Sequence, residues 1–255
     1  MSTKLSAVII TFNEEKNIQR CIEAALPVAD EIIIVDSFST DNTPEIVKKY
    51  PQVKFIQHQW QGYSKTKNFA NKQASNPYIL SLDADEFISE ELKESILKEK
   101  EKGLEGTYSF NRLTNYCGTF VKHCGWYPDA KIRIFPKEKA LWEGDFVHET
   151  LRITDASLTN KHLKGDLLHY SYYTIEEHLQ RIEKYSDLHA QKLKNEGKQP
   201  SVIKEIASPA AKFIKTYIMQ LGFLDGKAGW HISRLSAKAV YLKYRKLRKL
   251  SGNEI

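Results

Sequence analysis

At 255 residues, with 41% hydrophobic and 11% aromatic side chains, the chain can bury a core as one large domain or as one domain with an appendage, and its composition excludes a disordered polymer. The formal charge of +6 is local: residues 226–253 hold eight Lys and Arg and no acid, which leaves 30 cations against 32 carboxylates elsewhere, without the basic stripe that a nucleic-acid backbone requires. Cys21, Cys117 and Cys124 are scattered and odd in number, the pattern of free thiols in a reducing compartment, and Cys117, His123 and Cys124 lack the spacing and fourth ligand of a zinc site.

Hydrophobic period and turn signals alternate regularly along the first third of the chain. MSTKLSAV enters a strand candidate, LSAVIITF (5–12), with no charged leader and long apolar stretch before it, and no run of about 18 apolar residues follows, so neither a signal peptide nor a membrane span is expected. EEKNIQRCIEAAL (14–26) predicts a helix ending before Pro27, and EIIIVDSF (31–38) a second strand, apolar up to Asp36 as strands covered on both faces are. Asp41, Asn42 and Thr43 offer helix caps ahead of Pro44, which suits the first turn of TPEIVKKY. VKFIQH, SKTKNFANKQA and PYILSLD follow as strand, helix and strand. Four such alternations predict a parallel sheet with helices on both faces and ligands outside the carboxyl ends of its strands.

At that edge LSLDADEF (80–87) sets Asp83, Asp85 and Glu86 within four positions, with Asn13, Glu14 and Asp36 ending the first two strands. Hard oxygen ligands so placed would bind Mg²⁺ or Mn²⁺, which in turn holds a diphosphate. The bland alternative is that the acids cap the helix predicted at SEELKESILKEKEK (89–102).

In the second half TIEEHLQRIEKYSDLHAQKLKNEG (174–197) reads as a charged helix, and a second helical stretch after Pro200 carries Ile206, Phe213, Ile214, Tyr217, Ile218 and Leu221 on one face. HISRLSAKAVYLKYRKLRKL (231–250) interleaves Ile232, Leu235, Ala239, Leu242 and Leu250 with cations. Two readings of it stand together: an element attracted to anionic lipid at about 1 kcal/mol per well-placed cation, or a helix packed on the domain.

The ordered pieces VIITFNEE (8–15), IIIVDSFSTDNT (32–43), GYSKTKNFA (62–70) and LSLDADEF resemble the family 2 glycosyltransferases of GT-A fold. GWYPDAKIRIF (125–135), FVHETL (146–151), LLHYSY (167–172) and FIKTYIMQLGFLDGKAGW (213–230) extend the likeness toward the lipopolysaccharide core glucosyltransferases. The resemblance implies an α/β nucleotide-diphospho-sugar transferase fold: a catalytic domain over 1–170, with the nucleotide sugar on 1–90 and the acceptor on 91–170, and a helical extension over 171–255. It implies a UDP-sugar donor held by Thr11, Asn13 and Glu14 at the nucleoside, Asp36 and Ser39 at base or ribose, Lys67 and Asn68 at the diphosphate, and Asp83 at the ribose, with the cation on Asp85. Lys67 stands where the family often has Arg, a point charge in place of a bidentate fork.

Transfer also needs a base for the acceptor hydroxyl. Glu149 is the choice: WEGDFV before it would desolvate a carboxylate and raise its pKa, His148 would orient base or phosphate, and Asp145 competes. His169 is a further contact to the cation or diphosphate. Trp126 and Tyr127 offer a flat surface to a sugar, with Asp129 and Arg133 as polar contacts at the acceptor. The expected reaction is a single inverting displacement that moves a hexose, glucose by resemblance, to a glycolipid or oligosaccharide of the lipopolysaccharide core. It would occur in the cytoplasm or at the inner face of its membrane, and a dimer through the C-terminal helices is compatible. Three rival classes fit less well: a phosphatase with a DxDx[TV] loop, since Phe87 replaces the Thr or Val; a nucleotidyltransferase, since TFNEEKN is not a Gly-rich loop; and a nucleic-acid binder using the basic tail with Tyr241 and Tyr244.

Overall fold

A computed structural model describes residues 3–144 and 149–252. The chain divides into two compact units, Met1–Arg112 with Asp129–His169 and Leu113–Pro128 with Tyr170–Ile255.

The first unit begins with four β/α alternations: β1 (Leu5–Thr11), α1 (Ile18–Ala25), β2 (Glu31–Asp36), α2 (Thr43–Val47), β3 (Val53–Gln57), α3 (Tyr63–Lys72) and β4 (Tyr78–Asp83). The four strands pair in parallel in the order β3-β2-β1-β4. Every residue of β1 is buried, so both faces of the sheet are covered, as the continuous apolar runs predict. Helix α1 buries Ile18, Cys21, Ile22 and Ala25, the i, i+3, i+4, i+7 stripe of an amphipathic helix. One core cluster joins Val8, Ile10, Ile33, Val35 and Ile79 to Ala70, Phe135 and Trp142.

Beyond β4 the sheet continues through β8 (Ala130–Pro136), β6 (Thr107–Tyr116), β11 (Asn160–Tyr172) and β5 (Glu86–Ile88). The pairings of β8 with β4 and β6, and of β11 with β5, are antiparallel, so the parallel half predicted from the alternation is extended by strands that the alternation does not reach. Helix α4 (Glu90–Lys102) follows β5, and β9 (Ala140–Glu143) and β10 (Thr150–Ile153) form a separate antiparallel pair.

In the second unit α5 (Ile175–Asn195) starts with a capping box, Thr174 accepting from the Glu177 amide while Glu177 reaches back. It is followed by α6 (Val202–Ile214) and α7 (Gly226–Leu250). The segment 113–128, which the sequence reading grouped with the catalytic half, belongs to this unit because Tyr116, Val121 and Cys124 bury themselves against Ala228 and Ile232. Gly229 allows close packing there, since a Cβ on it would stand 1.8 Å from the Gly222 carbonyl oxygen.

Candidate functional site

The carboxyl edge of the parallel strands gathers the predicted residues of the first unit. Asp83 ends β4, and the backbone then turns through Ala84 and Asp85 into β5. The cap of α4 is Ser89, whose hydroxyl accepts from the Leu92 amide at 3.3 Å. Asp83 and Asp85 are therefore separated from that helix by β5, and the capping reading of LSLDADEF falls.

The acids divide into two sets. Asp83 pairs through Oδ1 with Lys67 Nζ at 3.0 Å and through Oδ2 with Arg133 at 3.3 Å. Burial alone would raise its carboxyl, but the charges of Lys67 and Arg133 outweigh that and hold it well below the usual carboxylate range. Glu86, fully buried, accepts from the Asp83 amide at 3.0 Å and from the Arg133 guanidinium, with Arg112 at 3.7 Å. Burial raises its carboxyl against the pull of Arg133. The partly exposed Asp83 and the fully buried Glu86 thus form a neutralised cluster with Lys67 and Arg133. Glu149 touches its edge through Lys67, and Asp85 lies outside it.

Asp85 faces His169, with Oδ2 and Nε2 3.2 Å apart. The register of β11 on β5, which sets His169 opposite Glu86, brings the imidazole there. Donors bound cis to one octahedral ion at about 2.1 Å stand roughly 3 Å apart, so the pair fits a Mg²⁺ or Mn²⁺ centre. Among the described residues no group of three or more His, Cys, Asp or Glu converges on such a centre. A cation held by two protein ligands keeps its other positions for phosphate oxygens and water, the usual habit of Mg²⁺.

Glu149 precedes β10 and is partly exposed, its Oε1 3.6 Å from Lys67 Nζ. The hairpin of β9 and β10 is fixed to α3: Asn68 accepts from the Trp142 amide at 2.9 Å and donates to the Trp142 carbonyl at 2.8 Å, while Ser64 donates to the Gly144 carbonyl at 2.9 Å. Asn68 and Lys67, expected at a diphosphate, have protein partners here. Asn68 commits its carboxamide to the Trp142 backbone and positions the hairpin. Lys67 is 2% exposed, between Asp83, Glu149 and the Trp142 ring at 4.5 Å, where it neutralises carboxylates. It lies on the buried side of α3 with Ser64, Ala70 and Asn71, a spacing that the sequence displays. The desolvating wall expected from WEGDFV falls partly on residues 145–148, so that Asp145 and His148 lie outside the described residues. The described neighbour of Glu149 is an ammonium, not an apolar wall.

The loops after β1 and β2 are laced together. Asn13, at φ +55°, donates its amide to Ser39 Oγ at 2.8 Å and accepts from the Thr40 amide at 2.8 Å. Glu14 donates its amide to Thr43 Oγ1 at 2.8 Å. Asp36 was expected at a base or ribose, but it is fully buried and accepts from the Ser39 amide at 3.0 Å, the Ser39 hydroxyl and Gln57 at 3.3 Å. It and Ser39 shape the loop, and a ligand contact by Asp36 is not available in this conformation. Thr11 Oγ1 is buried without a hydrogen-bond partner among the described residues. The same loops present Phe12 and Phe38, each more than half exposed, as flat apolar faces that the sequence reading passed over. Their signal was an aromatic residue within two positions of each strand end, in VIITFNEE and VDSFST.

Asp129 is held by Arg112 at 2.9 Å and Lys131 at 2.9 Å. Arg133, expected as an acceptor contact, is instead 4% exposed within the neutralised cluster. Trp126 and Tyr127 belong to the second unit, where Trp126 packs against Tyr116 and Tyr172, so its ring is part of a core.

The pattern described as Glycosyl transferase family 2 matches residues 6–162. An uncharacterized glycosyltransferase of Rickettsia bellii (strain RML369-C) is 32% identical over 98% of this chain and 88% of its own length. The lipopolysaccharide core biosynthesis glycosyltransferase LpsC of Rhizobium meliloti (strain 1021) is 29% identical over 94% of this chain and 93% of its own. Among solved structures, the mannosyltransferase PcManGT of Pyrobaculum calidifontis, in complex with GDP-Man and Mn²⁺, shares the fold at 15% identity and a TM-score of 0.51, covering 100% of this chain and 89% of that one. With the family pattern spanning most of the chain and relatives aligned nearly end to end, the chain belongs to glycosyl transferase family 2.

Proposed function

We propose that the chain is a metal-dependent, inverting hexosyltransferase that moves glucose from a UDP-sugar to a glycolipid acceptor of the lipopolysaccharide core. The observation that carries this reading is the pairing of the acids at the strand edge: Asp83 and Glu86 are neutralised by Lys67 and Arg133, Asp85 stands with His169, and the partly exposed Glu149 lies 3.6 Å from Lys67. The 29% identity to LpsC over nearly the full length supports the acceptor class.

In this mechanism Glu149 takes the proton from the acceptor hydroxyl as that oxygen attacks the anomeric carbon and the bond to the nucleoside diphosphate breaks on the opposite face. Lys67 supplies a counter-charge to the ionised base. Thr11, Asn13 and Glu14 hold the nucleoside, and Phe12 and Phe38 shield it from water. Asp85 and His169 would hold Mg²⁺ or Mn²⁺, which when bound neutralises the charge that develops on the leaving diphosphate. Asp129, fixed by Arg112, is the polar contact offered to the acceptor.

The second unit supports a lipid-borne acceptor at the cytoplasmic face of a membrane. Helix α6 and the turns after it expose Ile203, Ile206, Ile218, Met219, Phe223 and Leu224, with Lys204, Lys212 and Lys215 among them. No described helix is long and apolar enough to cross a membrane, and an exposed apolar ridge with flanking cations suits a surface position.

Calorimetric titration with UDP, with and without Mn²⁺, tests the reading. The wild type should bind UDP only with Mn²⁺, Asp85→Asn should lose that binding, and Glu149→Gln should keep it while turnover of UDP-glucose falls about 10²- to 10⁴-fold. UDP binding indifferent to both Mn²⁺ and Asp85→Asn would overturn the metal assignment, and full turnover by Glu149→Gln would overturn the base.

A further inference from the structure

The second unit contains a cleft of about 380 Å³ between α5 and α7, of the size that small ligands occupy. Its lining includes Arg181, Lys212 and Lys243, with the rings of Tyr172 and Tyr185, and no Asp or Glu among the described residues. Two cations of α7 are matched by carboxylates: Lys246 pairs with Glu183 at 3.0 Å and Asp187 at 2.9 Å, and Arg248 with Glu205 at 3.1 Å. Arg181, Lys212 and Lys243 pair with no carboxylate among the described residues. Arg181 is instead aimed by Ser171, to which it donates at 3.0 Å, and lies over the Tyr172 ring at 4.7 Å.

The three cations line one concavity without a described carboxylate, whereas Lys246, on the same helix as Lys243, is offset by two. Burial and the neighbouring Lys215 push the Lys212 ammonium below its ordinary value, so the charged form lacks a counter-ion there. The exposed ring of Tyr185 beside the charges adds a flat face on which a sugar ring can lie. We infer that this cleft binds an anionic saccharide, with the phosphate or carboxylate on Arg181, Lys212 and Lys243 and the ring against Tyr185. That the saccharide forms part of the acceptor rests on the transfer reading above; that it binds here does not.

The test is calorimetric titration of the full chain with glucose 6-phosphate, and in parallel with glucose, inorganic phosphate and phosphatidylglycerol vesicles. Glucose 6-phosphate should bind at least tenfold more tightly than glucose or inorganic phosphate, and Lys212→Gln should weaken it about tenfold with thermal unfolding unchanged. Lys243→Gln, with a more peripheral side chain, serves if Lys212→Gln fails to fold. Equal binding of glucose, equal binding of inorganic phosphate, or indifference to the variants would each overturn the inference, and displacement by the vesicles would replace the saccharide with a lipid headgroup. UDP binding is measured on the same samples: its loss beside intact glucose 6-phosphate binding would sink the transfer reading and leave the cleft standing, and the reverse result would do the opposite.

Discussion

At the scale of single residues, the site is governed by charge neutralisation. Lys67 is the pivot, because it is buried and serves both Asp83 and Glu149. Removing one member of a buried pair strands the other charge, a loss of about 3–5 kcal/mol for a fully dry pair. Since Asp83 keeps Arg133 and is partly exposed, Lys67→Met should cost about 2 kcal/mol, read as a lowered urea midpoint at pH 7. Asp83 is held below its unfolded value, so its contribution is present above the unfolded pKa and is lost as the pH falls through the folded one; Lys67→Met should therefore unfold at higher pH in an acid titration than the wild type. His178 gives a second pH dependence. It is 6% exposed and bonds Tyr116 Oη at 3.0 Å; burial first and Arg181 second push it down to about 4. The folded state favours the neutral ring, so stability is complete above about pH 6.5 and declines toward pH 4, where the unfolded chain takes up the proton first. The decline should be about 2 kcal/mol after allowance for solvent, and His178→Gln should flatten it in urea titrations across that range. That the acids of LSLDADEF need partners was legible in the sequence, and the structure supplies Lys67, Arg133 and His169 as those partners. The duties of Asp36 and Asn68 were not legible, since a polar side chain at a strand edge can turn toward a ligand or toward a neighbouring loop, and only the three-dimensional path of residues 37–40 and 140–143 decides between them.

At the scale of elements, local pattern and tertiary contact part company. The strands β1 to β4 and their helices follow from apolar runs and turn residues, both local signals, and so they could be read directly. The antiparallel strands could not, because β6, β8 and β11 carry mixed burial and find partners distant in sequence, such as Leu80 opposite Ile134 and Leu168 opposite Phe87. Helix α7 shows the same tension. Its interleaved cations read equally as a lipid-facing or a packed helix, and the structure buries Ala228, Ile232, Leu235 and Leu247 within the second unit, so the packed reading holds for that face. Its first turns also invert the usual effect of helix propensity. Replacing Gly by Ala inside a helix ordinarily stabilises by up to about 1 kcal/mol, yet a Cβ at position 229 would meet the Gly222 carbonyl oxygen. Backbone cannot yield as a flexible side chain can, and overpacking costs about 1–3 kcal/mol. Gly229→Ala should therefore lower the thermal midpoint, whereas a rise would show that the turn at 222 can move aside.

At the scale of the whole molecule, the proposal of a lipid-borne acceptor turns on where the second unit exposes its apolar surface. The sequence pointed to the basic tail, but α7 buries Ile232, Leu235 and Leu247 while leaving Trp230 and Leu250 exposed, and most of the second unit's exposed apolar side chains lie on α6 and the turns that follow. Ile203, Ile206, Met219 and Leu224 are each more than half exposed, and each would cost free energy in water that a bilayer interface removes at about 25 cal/mol per Å² buried. Glu205, the acid beside them, is buried and paired with Arg248, so the ridge presents cations and hydrocarbon without exposed negative charge of its own. Binding to vesicles should then have two separable parts. Ile206→Asp with Met219→Asp should abolish sedimentation with phosphatidylglycerol vesicles at any salt concentration, because the insertion is apolar. Lys204→Gln with Lys215→Gln should weaken it severalfold at about 0.1 M salt and hardly at all at about 1 M, where screening has already removed the electrostatic part. If the double Asp variant instead sediments like wild type and merely changes from dimer to monomer, the ridge is a surface between two copies of the chain, and the acceptor must be reached from solution.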